Sequence, residues 1–260
     1  MNRRIVIDPD YSFLERYIRD IPDNFDSLGE IIHDDRNILR RDSARGVELV
    51  IKSFRRIYLP NKIRYTYFYP SKARRAFDYA KILLKEGFNT PKPIAYIERT
   101  ENGLLTQSYF VCEYTDFEPL KMIRELPPAV QDELLKALSF FAYRLHQSHI
   151  YHGDFSIGNV LYKKIGDHFE FSLVDNNRIK FGSVSFERGI RTMGRLGLPA
   201  EQLVVIAKIY GRLWNIDEIV VLERLFHHQR SIRNSNSLKK SGKQLLQRLD
   251  PVVRGWVGGW

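Results

Sequence analysis

His152-Gly153-Asp154-Phe155-Ser156-Ile157-Gly158-Asn159, followed by Leu173-Val174-Asp175, is the stretch on which the reading of this chain turns. An apolar lead-in ends in His-x-Asp. Asn159 stands five positions after Asp154, and Asp175 closes the next apolar run. Phosphoryl transfer needs little covalent help from a protein. It needs a phosphate chain held in line, its charge neutralised and an acceptor hydroxyl oriented. Asp154 is the candidate for the hydroxyl. Asn159 and Asp175 offer the hard oxygen atoms that magnesium prefers. His152 is placed to brace the loop. Any one of these residues would fit a polar surface hairpin. The whole set, set around a hairpin after a long amphipathic helix, points to a phosphotransferase.

Working outward, Ser12-x-x-Glu15 has the form of a capping box and predicts a short helix burying Phe13, Leu14, Tyr17 and Ile18. Ile31-Ile32-His33, Ile38-Leu39 and the run from Val47 to Phe54 read as strands, with the polar turn Asp34-Asp35-Arg36-Asn37 between the first two. Ala73, Ala76, Phe77, Ala80, Leu83 and Leu84 recur at helical spacing and predict a helix over 71–86, stopped by Gly87. Strands follow at 94–97 and 109–114, separated by the turn Glu101-Asn102-Gly103. After the polar connector 115–119, Pro127-Pro128 opens a helix to about residue 149. A hairpin of 160–162 with 169–174 turns at Gly166-Asp167. Helices are expected at 200–214, 216–227 and 239–249, and the Ser/Asn/Lys/Arg-rich stretch 230–243 is expected to be mobile. Three strands, a helix and two strands ahead of a mainly helical half is the order of a protein kinase. The fold class expected is therefore α+β: a bilobal protein-kinase-like fold in a single kinase-like domain. Its small lobe, an antiparallel sheet plus one helix, spans 1–114; its mainly helical lobe spans 115–260.

The 260 residues carry 41 Lys and Arg against 31 Asp and Glu, a net charge of +10 that favours an anionic partner. A lone cysteine, Cys112, excludes an internal disulfide and reads as a small buried hydrophobe in a reducing compartment. The N-terminal Met1 to Asp8 lacks the apolar core of a secretory signal, and no apolar run approaches the roughly 20 residues that span a bilayer. A cytoplasmic protein with at most peripheral membrane contact is expected.

Lys52 ends the apolar run Val47 to Ile51, so its ammonium needs either water or an anion, and here the nucleotide phosphates are the expected partner. Lys52 thus joins Asp154 and His152 as a catalytic candidate. Glu113 and Tyr114, where the last strand of the small lobe meets the connector, are assigned with Lys52, Asn159 and Asp175 to the nucleotide. Ala76 stands where related enzymes often carry the Glu that pairs with this lysine. Asp78 is the nearest acid, but two residues on it lies on another helical face. The turn at Asp35-Arg36-Asn37 has no glycine cluster to cover phosphates. Asn176-Asn177-Arg178 follows Asp175 in place of Phe-Gly, and no Ala-Pro-Glu follows, so a peptide-docking segment is not expected. His146, His149 and His152 are evenly spaced, but His152 lies past the helix end and no further ligand completes a metal set. Arg188, Arg191 and Arg195, with Lys180, form a basic run in which Arg191 and Arg195 would share a helix face.

Val50-Ile51-Lys52, Leu84-Lys85-Glu86-Gly87 with Thr90-Pro91-Lys92-Pro93, His152-Gly153-Asp154 with Asn159-Val160-Leu161, and Val174-Asp175-x-x-Arg178 together resemble the lipopolysaccharide kinase family, the Kdo/heptose kinases. The resemblance spans roughly 31–198. It implies ATP and magnesium as cofactors and an acidic inner-core sugar on a lipid, Kdo on lipid A, as acceptor. It also implies work at the cytoplasmic face of the inner membrane. Arg178, Arg191 and Arg195 would meet the acceptor; nucleic acid is not expected as a partner. The alternatives are a small-molecule kinase of the aminoglycoside or choline type, a protein kinase, and a non-catalytic pseudokinase module. A cationic acceptor would call for acidic groups where this chain carries basic ones.

Overall fold

A computed structural model of the chain describes residues 2–54, 59–235 and 237. Strands β1 (Asn2–Ile7), β2 (Glu30–Asp34), β3 (Ile38–Ala44), β4 (Val47–Ser53), β5 (Pro93–Glu101) and β6 (Leu104–Glu113) form one sheet in the order β1-β5-β6-β4-β3-β2. Every neighbouring pair is antiparallel. Helix α1 (Glu15–Asn24), with Leu14 just before it, packs on one face through Ile18 and Ile21, against Leu49, Ile51, Ile97, Tyr109 and Val111. Helix α3 (Lys72–Lys85) packs on the other through Ala73, Ala76 and Phe77, against Tyr96, Phe110 and Cys112. With both faces covered, the centres of β4 and β6, Leu49 to Ile51 and Tyr109 to Cys112, are apolar on both sides of the sheet. Val50 lies on the α3 side, and the two-residue period of a strand puts Lys52 there too. Cys112 is buried on this face, and burial pushes its thiol pKa up to about 12, the inert role expected.

Several local features depart from the sequence reading. β1 was not foreseen; its three apolar residues, Ile5 to Ile7, gain their context only by pairing with Ile97, Tyr96 and Ala95 of β5. The first helical turn starts at Asp8, whose side chain accepts from the Asp10 N–H, with Pro9 next, rather than at Ser12-x-x-Glu15. Phe13 in consequence faces solvent, 45% exposed. A short helix α2 (Leu59–Ile63) and a π-helical turn (Arg64–Phe68) are inserted before α3. The helix capped by Ser71 and stopped by Gly87, at φ +77°, follows as expected.

In the helical half, α4 (Pro128–Gln147) packs on α6 (Ala200–Trp214), with Leu134, Leu138, Ala142 and Leu145 sharing a core with Leu203, Ile206 and Tyr210. The polar connector contains β7 (Glu118–Pro119), which pairs with β9 (Val160–Ile165) of the foreseen hairpin; β10 (His168–Leu173) completes it. β8 (Ile150–His152) pairs with β11 (Ile179–Phe181), followed by α5 (Phe186–Met193). A last helix, α7, covers 218–235, so the part of the expected mobile stretch up to residue 235 is helical; the helix expected at 239–249 lies outside the described residues. His146 is a core histidine: its ring Nδ1 meets the Tyr210 hydroxyl at 2.7 Å.

Candidate active site

The loop after β8 and the turn after β10 come together because β8 and β11 pair across them. Ile179 lies opposite His152, and the Gly153 N–H donates to the Arg178 carbonyl at 3.0 Å. A Cβ at Gly153 would stand 2.8 Å from that same oxygen, so the residue after His152 has to be glycine for the strands to close. His152 is buried and holds both segments. The Asp154 N–H donates to its Nδ1 at 3.0 Å, so Nε2 carries the ring proton and donates to the Val174 carbonyl at 3.0 Å. Burial lowers its pKa below the usual imidazole value, which keeps this neutral tautomer in place. His152 therefore braces the loop, as the sequence suggested, and acts on Asp154 and Asp175 by positioning them.

Asn159 gives its side-chain N–H to the Asp154 carbonyl at 2.9 Å, which commits the amide nitrogen and leaves the amide oxygen as the group to offer a metal. Asp175 adopts a left-handed conformation, φ 59° and ψ 40°, strained for a residue with a Cβ. Its carboxylate is ion-paired with Lys52, accepts from Asn177 Nδ2 at 2.7 Å and lies 3.2 Å from Arg178 Nε. Burial pushes its pKa up, but Lys52 and Arg178 more than offset this, and the net shift is downward. Arg178 Nε also lies 3.5 Å from Asp154, so the guanidinium bridges the two aspartates.

The sheet and the turn are also tied together by Thr90, whose hydroxyl donates to Leu173 O at 2.8 Å and accepts from the buried Asn176 at 2.7 Å. Helix α3 contributes cations to the site. Arg75 donates to the Asn177 carbonyl at 2.9 Å, and Lys72 shares the Phe54 ring with Lys52, their ammonium groups lying 5.9 and 5.2 Å from its centroid. Burial, with Arg178, Lys52 and Arg75 nearby, lowers the Lys72 pKa, and Asp175 offsets part of this. The sequence reading passed over Lys72 and Arg75, since a cation in the first turn of a surface helix carries no signal of its own.

The structure brings Lys52, His152, Asp154, Asn159, Asp175 and Arg178 into one cluster. It bears on three expectations. The ion-pair partner of Lys52 is Asp175, while Asp78 pairs with Arg74 at 3.4 Å on the outer side of α3. Arg191 and Arg195 do not share a helix face, because α5 ends at Met193 and Arg195 falls in the following turn. Both are exposed, and no hydrogen bond or ion pair joins either to the cluster. The Glu113 side chain accepts from the Tyr11 hydroxyl at 2.5 Å, away from Lys52, and the Tyr114 ring lies 3.8 Å beneath the Arg41 guanidinium. These two mark the end of β6 by backbone position: the Glu113 N–H donates to Lys92 O and the Tyr114 N–H to Glu48 O, both at 2.9 Å. Surface hollows lined by Asp8, Tyr11, Lys81 and Lys92, and by Pro199, Phe226, Arg230 and Arg233, hold none of the cluster.

A family model described as the lipopolysaccharide kinase (Kdo/WaaP) family matches residues 33–183, more than half of the chain and all six clustered residues. Curated protein sequences give no match. Among solved structures, WaaP in complex with acyl carrier protein is similar with a TM-score of 0.60 at 19% identity, over 87% of this chain and 98% of that one. The Rio2 kinase–ADP/Mg2+–phosphoaspartate complex from Chaetomium thermophilum gives 0.48 at 17% identity, over 85% of this chain and 71% of that one. The first of these is a likeness of fold, and the architecture is the bilobal protein-kinase-like one that the sequence led us to expect.

Proposed function

The chain belongs to the lipopolysaccharide kinase (Kdo/WaaP) family and is a kinase; on that premise we propose that it transfers the terminal phosphoryl group of ATP to a sugar hydroxyl of the lipopolysaccharide inner core, with Kdo on lipid A as acceptor. The observation that carries this reading is convergence. Lys52 from β4, Asp154 and Asn159 from the loop after β8, and Asp175 from the turn after β10 meet within one ion-paired cluster.

In this reading Asp154 orients the acceptor hydroxyl and takes its proton. Lys52, with Lys72 beside it, holds the nucleotide phosphates. Asn159 and Asp175 would hold magnesium. Among the described residues no group of three or more His, Cys, Asp or Glu could hold a metal by itself. That suits this ion, which takes one or two protein oxygens and completes its shell with phosphate and water. Magnesium bound there would supply positive charge to the phosphates. Arg178, between the two aspartates, orients both carboxylates and stands where the acceptor would enter. We place the lobe boundary after Tyr114, with the nucleotide against the end of β6.

A sugar suits the space after Asp175 better than a peptide. β11 returns at once to pair with β8, and α5 begins at Phe186, so the chain builds no long platform there. We place the enzyme at the cytoplasmic face of the inner membrane, held peripherally. Among the described residues no helix is long and apolar enough to cross a membrane, and the +10 net charge favours an anionic surface. The test is to incubate the chain with labelled ATP, magnesium and, separately, Kdo-lipid A, a peptide mixture and aminoglycosides. Label is expected in Kdo-lipid A and lost with Asp154→Asn. Label in peptide or drug, with Kdo-lipid A ignored, would overturn the acceptor assignment.

A further inference from the structure

The insertion between β4 and α3 turns an apolar surface outward. Ile63, Tyr67, Phe68 and Tyr69 are 43, 64, 80 and 39% exposed, and Phe68 is the most exposed large apolar side chain among the described residues. The same stretch is cationic. From residue 59 to residue 69 the sequence holds Lys62 and Arg64 and no acid. The aromatic residues are presented from a fixed backbone. The Thr66 hydroxyl donates to Lys62 O at 2.6 Å and accepts from the Leu105 N–H at 2.9 Å, and the Tyr67 hydroxyl donates to Gly103 O at 3.3 Å. Arg64 lies over the Tyr69 ring at 4.9 Å.

We propose that residues 62–69 dock on an anionic phospholipid surface, with Tyr67 and Phe68 at the headgroup–acyl boundary and Lys62 and Arg64 at the headgroup phosphates. Projecting aromatics interleaved with cations are what such an interface accepts. A protein partner would need a preformed hollow for Phe68 and a matching acidic rim; a fluid anionic surface supplies both without either being shaped in advance. The docking element is also joined to the reaction centre. Arg75 lies over the Tyr69 and Tyr65 rings, at 4.8 and 5.9 Å, and donates to the carbonyl of Asn177, two residues from Asp175. The inference rests on the lipid-borne acceptor proposed above and names the surface that would meet its membrane.

The experiment compares the wild-type chain with Tyr67→Ser/Phe68→Ser and with Arg64→Gln, after their melting curves show the fold retained. Flotation is measured with vesicles of phosphatidylcholine alone and of phosphatidylcholine with phosphatidylglycerol. Wild-type chain should bind the second kind alone, less as salt rises, and the double variant should bind roughly tenfold more weakly. Arg64→Gln should lose part of the phosphatidylglycerol dependence. Activity is then measured on Kdo-lipid A in vesicles and on the deacylated, soluble sugar. The double variant should raise KM for the first and leave the second unchanged. Wild-type chain that ignores phosphatidylglycerol vesicles, a double variant that floats like wild type, or an equal loss on soluble sugar overturns the docking proposal. If wild-type chain binds the vesicles but phosphorylates neither acceptor, the acceptor reading falls and the docking surface stands.

Discussion

Gly153→Ala should separate the positioning of Asp154 from its chemistry. The added methyl would stand 2.8 Å from the Arg178 carbonyl oxygen, whereas ordinary Cβ contacts begin near 3.4 Å, so the two backbones must part by about 0.6 Å. The oxygen cannot rotate aside. It already accepts the Gly153 N–H at 3.0 Å and sits where β11 begins its pairing with β8. Forcing a methyl into such a contact costs about 1–3 kcal/mol, and for a chain of this size each kcal/mol lowers Tm by roughly 2–4 °C. The gap opens next to Asp154 and on the residue that bridges Asp154 to Asp175. A misplacement of about 1 Å is worth up to roughly 10²-fold in rate, so kcat should fall about tenfold, while affinity for Mg-ATP changes less. Gly158→Ala is the control: it lies in the same loop, an added Cβ meets nothing within 4 Å, and its φ is not left-handed. Melting curves and steady-state kinetics on both variants decide the matter. If Gly153→Ala matches Gly158→Ala in Tm and kcat, the closure between Gly153 and Arg178 does not position the catalytic loop.

Asp154→Asn should lower kcat by about 10²–10⁴-fold with ATP binding kept, measured by single turnover beside calorimetry; near-normal turnover refutes its role. Lys52→Met should lose activity with the fold retained. It should also raise the pH at which acid abolishes magnesium-dependent nucleotide binding, because Lys52 is the main influence holding the Asp175 carboxyl below its ordinary range; nucleotide titrations across pH read this, and an unmoved acid limb counts against the pair. His146 predicts acid sensitivity of the fold itself, since burial pulls its pKa from 6.5 to about 4. Between those values the unfolded chain binds a proton that the folded chain does not, so stability is whole above pH 6.5 and declines as pH falls, by about 3 kcal/mol at pH 4. The buried Nε2 has no hydrogen-bond partner. His146→Phe should therefore flatten the decline in urea midpoints from pH 7 to 4, and an equally steep decline in the variant refutes the assignment.

Much of this site was legible because its residues sit at fixed offsets within two short segments. Asp154 and Asn159 are bound by one loop, through the hydrogen bond from Asn159 to the Asp154 carbonyl. The helix over 72–85 was legible from period, its Ser71 cap and Gly87. Illegible features depend on contacts between distant segments. Nothing in Asn2–Ile7 marks a strand until β5 lies beside it. Nothing in Glu118–Pro119 does so until Tyr162 and Leu161 pair with it. Asp8-Pro9 outweighed the capping box because a proline that follows a capping Asp fixes the first helical turn, while Ser12 lies inside that turn with no helix end to cap. Arg191 and Arg195 show the limit of spacing arguments: four residues apart means one face only while the helix lasts, and α5 stops at Met193. Gly153 is the reverse case. Its identity was visible in the sequence as a departure from peptide kinases, but its reason, the Arg178 carbonyl, lies 25 residues downstream.

The electrostatics of the cluster suit the proposed reading without a glycine-rich turn and without a carboxylate of α3 beside Lys52. Lys52, Lys72, Arg75 and Arg178 surround two carboxylates, Asp154 and Asp175, so these groups alone leave a surplus of two positive charges before any nucleotide arrives. A carboxylate at position 76 would reduce that surplus, and the position is filled by Ala76, packed against Phe54, Tyr96 and Phe110. Lys52 of β4 is ion-paired with Asp175 instead. The surplus is uneven. Lys72 is the cation whose proton is held least firmly, because it is half-buried and ringed by like charges. On the proposed reading, a polyphosphate entering beside it would relieve that repulsion. Phosphate binding would then rest on side-chain cations from β4, α3 and the turn after Asp175 rather than on the backbone N–H groups of a glycine-rich turn.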